Sequence, residues 1–498
     1  MIKTLKIRII SISAALLLLV SIIGGVYLAG RKENSTRSSY EITAEVVDER
    51  LSAQMELKYV NNNAHSVEEL YFCLYPNAFK YEENVNNVAV ADLMAQAYPR
   101  GFDSGWIEIK NVSVNGKEVD FFLEQNEQIL RVVTGSIKQG KEKDISITFE
   151  EKLPYSPMRY GYGENTFNFC NWYPILCPFE NGQPVTCTYV ANGDPFYSEC
   201  ADYTVSITAS SLCRLASSGM IISQDTSNPL RTKWNVEGKN IRDFAFVLSE
   251  DFALKSRQVG ETIVYSYFLK GDEAGGDNAL NYACAAVECF NETFGLYPYT
   301  TLSVVSSDFY IGGMEYPNMV LINQEFYRGD KEEALEEVVV HEVAHQWWYG
   351  LVGNNEIQEP WLDEGLTQYS VALYYEDCYG PEMYQRFLHD SETYCKVIFD
   401  VVKNVNGAVA KNIERASNEF EHWLLYDAVT YDATAIMLDA LRNAIGEENF
   451  EKGLKNYFIC NQYKNASKED FIQDFTAGAG KDIESFLDPW LRGEVYWG

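Results

Sequence analysis

His341-Glu342-Val343-Ala344-His345 sets two imidazoles four residues apart. On an α-helix that spacing places them on one face, one turn apart, where both can grip a single ion. A hydrolytic zinc takes three protein ligands and leaves one position for water. Glu364, in the run Trp361-Leu362-Asp363-Glu364-Gly365, follows His345 after eighteen intervening residues and offers the carboxylate that completes the set. The chemistry expected of His341, His345 and Glu364 is metal-assisted hydrolysis with one Zn2+ per chain. Such an ion lowers the pKa of its water toward ~7, and Glu342 stands beside the first ligand to take the proton. The chain holds only five histidines, at 65, 341, 345, 389 and 422, and two of them fall in this motif. Chance spacing is a poor explanation for that. His389 and His422 read as solvated surface residues.

A helix must carry the two imidazoles, and the flanking residues suit one. Asp330 is placed to cap it with Glu333 three positions on, and Glu332, Glu333, Glu336 and Glu337 complement the positive end of its dipole. Gly350 and Gly353 offer stops. Pro360 suits the first turn of a second helix that carries Glu364 inward. Helical periodicity begins near Asp277, with a helix expected over Asn278 to Phe290, a break at Gly295-Leu296-Tyr297-Pro298 and an apolar strand from Leu302 to Val305. From Lys331 onward long helical stretches dominate. The preceding text has a different period: Tyr40 to Asp48, Leu51 to Tyr59, Trp106 to Lys110 and Tyr203 to Thr208 alternate with period two, between turns such as Asn61-Asn62-Asn63 and Asn115-Gly116. The fold class is α+β and multidomain. The expected division is 1–35 as a cytoplasmic stub and signal-anchor helix, 40–255 as an antiparallel β domain, and 256–498 as the α-rich domain that carries the zinc site.

Forty Lys and Arg stand against 72 Asp and Glu, a formal charge of -32. A surface so acidic repels phosphate backbones, which argues against nucleic acid as a partner. It keeps the chain soluble, and it could attract cationic peptides. Lys3, Lys6 and Arg8 precede an uncharged, mostly apolar run from Ile9 to Gly30, closed by Arg31 and Lys32. At ~1.5 Å per residue in a helix this run crosses a ~30 Å hydrocarbon core. Its end, Val26-Tyr27-Leu28-Ala29-Gly30, puts a bulky Tyr where a cleavage site wants a small residue, so an uncleaved signal anchor is preferred to a cleaved and secreted form. The catalytic part would face outward, bound to the cell membrane by a single span. Eleven cysteines include five between Cys170 and Cys213, where one or two disulfides can form in an oxidising compartment.

The text resembles the aminopeptidase N family of zinc gluzincins, which includes leukotriene-hydrolase-like enzymes. The zinc motif with His345-Gln346-Trp347-Trp348 and Trp361-Leu362-Asp363-Glu364-Gly365 is one block. Gly312-Gly313-Met314-Glu315-Tyr316 lies where the family carries GxMEN, and Val429-Thr430-Tyr431-Asp432-Ala433-Thr434 lies where it carries its catalytic Tyr. The resemblance implies a saddle-like N-terminal β domain followed by a thermolysin-like, α-rich catalytic domain. It implies that His341, His345 and Glu364 bind zinc and that Glu342 is the general base. Glu315, on an exposed strand edge with Gly313 and Met314, would hold the substrate's α-ammonium group, and Tyr431 would donate to the oxyanion. Two positions depart from the family: Tyr316 replaces its Asn, and Ala433-Thr434 replaces a Lys-Gly pair. Tyr426 is a rival for the role of Tyr431. Phe486 to Leu491 resembles the end of the family's catalytic domain, so a short member without the C-terminal helical domain is expected.

The expected function is therefore a zinc aminopeptidase acting on peptides with a free N-terminus. An endopeptidase on the same zinc site is the first alternative. A catalytically silent, membrane-tethered binding protein is the second.

Overall fold

The computed structural model describes residues 37–495. The apolar run 9–30 therefore lies outside the described residues. Among those described, no helix is long and apolar enough to cross a membrane.

The period-two stretches pair into a large sheet. Ser39–Val47 and Arg50–Val60 alternate buried and more exposed residues, the latter as far as Tyr59, as strands with one face on a core must. They sit centrally in an eight-stranded sheet whose order is Met220–Asp225, Arg231–Ile241, Ala201–Ser210, Ser39–Val47, Arg50–Val60, Glu142–Lys152, Trp106–Val114 and Lys117–Glu118. Ser39–Val47 runs parallel to Ala201–Ser210, while the other ladders are antiparallel. The turn before Lys117 is made by Asn115 and Gly116, both at positive φ, the conformation these residues tolerate best. Smaller sheets pack on its buried face. One of them orders Ile175–Leu176, Val67–Cys73, Ile129–Ile137 and Phe121–Glu124.

A second sheet of five strands opens the other half, in the order Phe252–Val259, Thr262–Leu269, Thr301–Ser307, Met319–Asn323 and Gly313–Met314. Its three middle strands are parallel. Thr301–Ser307 is buried throughout, as expected of a strand covered on both faces. The helices that follow this pattern are α1 (Glu273–Thr293), α2 (Glu332–Ala344), α3 (Glu364–Tyr379), α4 (Pro381–Asn406), α5 (Thr434–Ile445), α6 (Glu447–Asn461), α7 (Lys468–Ala479) and α8 (Glu484–Leu491). α1 is the crossover between Thr262–Leu269 and Thr301–Ser307. α4 shows the punctuation of a helix plainly: Pro381 opens it and Gly407, left-handed at φ 79°, closes it.

The ends of α2 depart from the sequence reading. Lys331, not Asp330, holds the cap position, and no side chain caps the helix. Asp330 stands one residue too early, and the acidic first turn is left to interact with the dipole alone. The helix also stops at Ala344, before Gly350. The chain tightens there, with Gln346 N–H donating to Val343 O (3.1 Å) and Trp347 N–H to Ala344 O (2.9 Å). That turn drives Trp347 and Trp348 into the core, where both are fully buried. Burying two indoles outweighs the glycine signal. Pro360 opens a short 3₁₀ turn, Pro360–Leu362, that leads directly into α3.

Candidate metal centre and active site

α2 and α3 bring the three expected ligands to one point. His345 Nε2 lies 3.1 Å from His341 Nε2 and 3.2 Å from Glu364 Oε2, and His341 Nε2 lies 3.3 Å from Glu364 Oε2. Three corners of a tetrahedron with zinc's bond lengths of about 2.0–2.1 Å stand about 3.3 Å apart. The donor set is borderline-soft imidazole plus a carboxylate, the set such an ion takes in hydrolytic sites. All three residues belong to one group among the described residues whose ligand atoms could hold a metal.

The other imidazole nitrogens fix the tautomers. His345 Nδ1 donates to Asp363 Oδ1 at 2.6 Å, with Thr367 Oγ1 at 3.1 Å and Trp348 O at 3.2 Å beside it. His341 Nδ1 donates to Gln368 Oε1 at 3.0 Å. With protons held on both Nδ1 atoms, both Nε2 lone pairs face Glu364. Burial alone would raise the Glu364 carboxyl, but its close contacts with His345 and His341 outweigh that and hold it below the usual carboxylate range. Asp363, Thr367 and Gln368 received no role from the sequence. Asp363 directly precedes a ligand, and Thr367 and Gln368 lie one turn along the same helix, so the i, i+3 and i, i+4 rule was the available signal.

Around the triad lies a cavity of about 280 Å³ lined by Gly313, Met314, Glu315, Glu342 and Tyr431 together with residues of the β half. Glu315 does not lie on an exposed edge. It is 3% exposed, and its Oε1 has no hydrogen-bond partner in the protein. A carboxylate oxygen of Glu315 stands within 4.8 Å of a His345 ring nitrogen. The strand Gly313–Met314 is an edge strand, yet Glu315, which follows it, is buried. Glu342 is likewise buried, with Oε2 unpartnered. Burial pushes the carboxyls of both Glu315 and Glu342 well above the ordinary range.

Glycine is required where the strand meets the helix. A Cβ on Gly313 would stand 2.4 Å from Glu342 Oε1 and 2.6 Å from its Cδ. Gly365 plays a similar part, since a Cβ there would meet Thr434 Cγ2 at 2.2 Å and Thr430 O at 3.0 Å. This contact seats α3 against Ala428–Ala433, a π-helical turn that carries Tyr431. Such turns widen a helix and re-aim a side chain. Tyr431 donates to Glu364 Oε1 at 2.5 Å, and its ring stacks on the His341 imidazole at 5.7 Å. Burial, and then the Glu364 charge, push its phenol well above the ordinary value, so it stays a donor. Tyr426, the rival, does not line this cavity and packs its hydroxyl against Gly193.

The departures from the family pattern point away from the cavity. Tyr316 is fully buried and donates to Asn171 Oδ1 at 2.7 Å, tying the strand to the β half. Ala433 and Thr434 pack under α3. The β half adds Arg159 and Asp194, a buried ion pair in the cavity wall, with the Arg159 guanidinium 5.1 Å from the Phe196 ring centroid. No local pattern in the sequence marked either residue. His389 and His422 are exposed, as read.

Residues 278–490 match the model of the peptidase family M1 domain. Aminopeptidase 2 of Candida albicans is 26% identical over 239 residues, which is 45% of this chain and 25% of that protein. Aminopeptidase N of Lactococcus lactis is 28% identical over 229 residues, 44% of this chain and 27% of that protein. The chain thus spans about a quarter of the length of the curated relatives it matches. A mutant M1 zinc metallopeptidase from Deinococcus radiodurans, solved with a Tyr-Ser-Ala substrate, superposes with a TM-score of 0.67 at 16% identity, covering 92% of this chain and 95% of that one. The shared architecture is a β-rich N-terminal domain followed by a helical domain.

Proposed function

We propose that this protein is a zinc aminopeptidase that removes the first residue from peptides with a free N-terminus. The observation that carries the reading is a buried carboxylate with an unpartnered oxygen, Glu315, placed in the same cavity as the convergent His341, His345 and Glu364. A buried carboxylate without a cation is costly. An incoming α-ammonium group supplies the cation and is held at a fixed distance from the triad, which selects the first peptide bond.

His341, His345 and Glu364 would hold one zinc ion. When bound, zinc acts as a Lewis acid that acidifies water and polarises a carbonyl. Glu342, raised in proton affinity by burial, takes the proton of the attacking water through its free oxygen and returns it to the leaving amine. Tyr431 keeps its phenolic proton and donates a hydrogen bond to the oxyanion. Gly313 and Met314 line the floor on which the first residue rests. The β half closes the opposite wall; the division is read as 40–255 and 256–498, with strand Phe252–Val259 crossing that boundary.

The proposal extends to placement: residues 9–30 are read as an uncleaved single-pass anchor, with the site outside the membrane. The amino-acid run itself supports this reading. The relatives support the peptidase reading, since those proteins are named aminopeptidases. The test is a panel of fluorogenic amino-acid amides, with and without a zinc chelator, on wild type and Glu342→Gln. Turnover abolished by both perturbations supports the reading. Turnover that survives chelation refutes the role of zinc.

A further inference from the structure

We propose that Cys73 and Cys177 form a disulfide that ties the strand Val67–Cys73 to the segment leading into the wall of the active-site cavity. Both residues are buried, and their sulfurs lie 3.4 Å apart. The strand register explains the contact. Ile175 pairs with Cys73, and Cys177 N–H donates to Tyr71 O at 2.8 Å. Side chains alternate along a strand, so Cys73, Ile175 and Cys177 share one face, and the two cysteines are diagonal neighbours across the ladder. A disulfide bond is about 2.05 Å long, so the sulfurs must close by about 1.4 Å, which side-chain rotation can supply.

The pair is also chemically poised. The hydrogen bond from Cys177 is the main influence that pulls the Cys73 thiol down, and the same contact pushes Cys177 up. One S–H thus donates to the other sulfur, and Cys73 is the better thiolate. Cys187 is the third buried thiol nearby, but its contact with Cys73 runs through its carbonyl oxygen, at 3.4 Å. These three cysteines do not appear among the groups of described residues whose ligand atoms converge on a metal. Pairing, not metal binding, is the chemistry the geometry favours.

The position gives the cross-link a consequence. Tyr75, two residues past Cys73, donates to Pro195 O at 2.8 Å, and Tyr189 N–H is held by Gln128 Oε1 at 2.9 Å. Tyr189 and Asp194 both line the cavity. The bond therefore anchors the root of the loop that forms one wall. Glutathione disulfide, or another disulfide donor, is the oxidant. The Cys73 thiolate attacks it and one glutathione thiolate leaves. The Cys177 thiolate then attacks the Cys73 sulfur of the mixed disulfide and expels the second glutathione. One S–S bond forms in the protein and one breaks in the donor, and the two thiol protons end on two glutathione molecules.

The full-length protein is equilibrated with glutathione disulfide or with dithiothreitol in sub-denaturing urea, which opens buried segments transiently. It is then unfolded in alkylating agent, digested and read by mass spectrometry. The expected result is a peptide pair joined through Cys73 and Cys177, two hydrogens lighter than the free peptides, in the oxidised arm alone. Cys187→Ala should keep it. The oxidised protein should also melt several degrees higher, and the double variant Cys73→Ser, Cys177→Ser should erase that gap. Full alkylation of both cysteines in the oxidised arm overturns the proposal, as does either of them joined to Cys187.

Discussion

Asp363→Asn probes the residue that aims His345. The substitution keeps the shape of the side chain and an oxygen that can accept from Nδ1, but removes the charge. Asp363 accepts that proton at 2.6 Å in a site that is 1% exposed, so the lost charge acts in a medium where it is poorly screened. Partners of this kind are generally worth about 10- to 100-fold in metal affinity. Thr367 Oγ1 and Trp348 O remain within 3.1 and 3.2 Å of the same nitrogen and preserve part of the ring's orientation. The expected loss therefore falls mid-range, about 30-fold, which is about 2 kcal/mol. The assay is competition for zinc against a chromophoric chelator, with peptidase turnover measured at saturating zinc. The variant should bind zinc about 30-fold more weakly yet recover most of its turnover when the ion is in excess. An affinity within about threefold of wild type would show that Asp363 does not tune the ligand, and the reasoning from second partners would fail.

Other outcomes follow from the same geometry. Glu342→Gln should retain zinc, seen by metal analysis, while kcat falls by about 10²- to 10⁴-fold; normal turnover would remove it as the base. Tyr431→Phe should lower kcat by about 10²- to 10³-fold with little change in KM, whereas Tyr426→Phe should cost less than about tenfold; the reverse order would exchange their roles. Gly313→Ala forces a methyl group against the Glu342 carboxylate and should lower kcat by about 10²-fold with zinc still bound, because the displaced group is the base and not a ligand. Asp243 tests stability and not catalysis. Burial pushes its carboxyl up to about 6, against the hydrogen bonds from Tyr173 and from Phe244 N–H. A raised carboxylate contributes stability that is present below the unfolded value of about 3.9 and lost as pH rises through about 6. The stability of wild type relative to Asp243→Asn should therefore drop by up to about 3 kcal/mol between pH 4 and pH 7. A melting-temperature difference that stays flat across that range would contradict the assignment.

What the amino-acid sequence discloses about this site depends on how local each relation is. His341 and His345 share one helix turn, so their spacing carries the geometry directly, and Glu364 is legible because one more helix brings it in. Glu315 shows the limit of that logic. The strand before it is an edge in the hydrogen-bonding sense, yet the residue is buried in a cavity that residues of the β half also line, an arrangement with no local signature. Arg159 and Asp194 reach the cavity wall from the β half, more than a hundred residues before the zinc motif, and nothing in their neighbourhood marks them. The cap at Asp330 failed for a subtler reason: acidic residues crowd the whole first turn, so composition locates the helix end only to within a residue or two. Cys73 and Cys177 meet through strand register, which is set by the whole β half and not by either cysteine's surroundings.

The central claim is that Glu315 and the zinc triad together select a free amino terminus. Two peptides of one sequence, differing only in N-acetylation, put it to the most direct test when their kcat/KM values are compared on the zinc-loaded protein. Acetylation should cost about 10²-fold or more, since the buried carboxylate then meets no cation. Equal cleavage of both peptides would contradict it and leave an endopeptidase on the same triad.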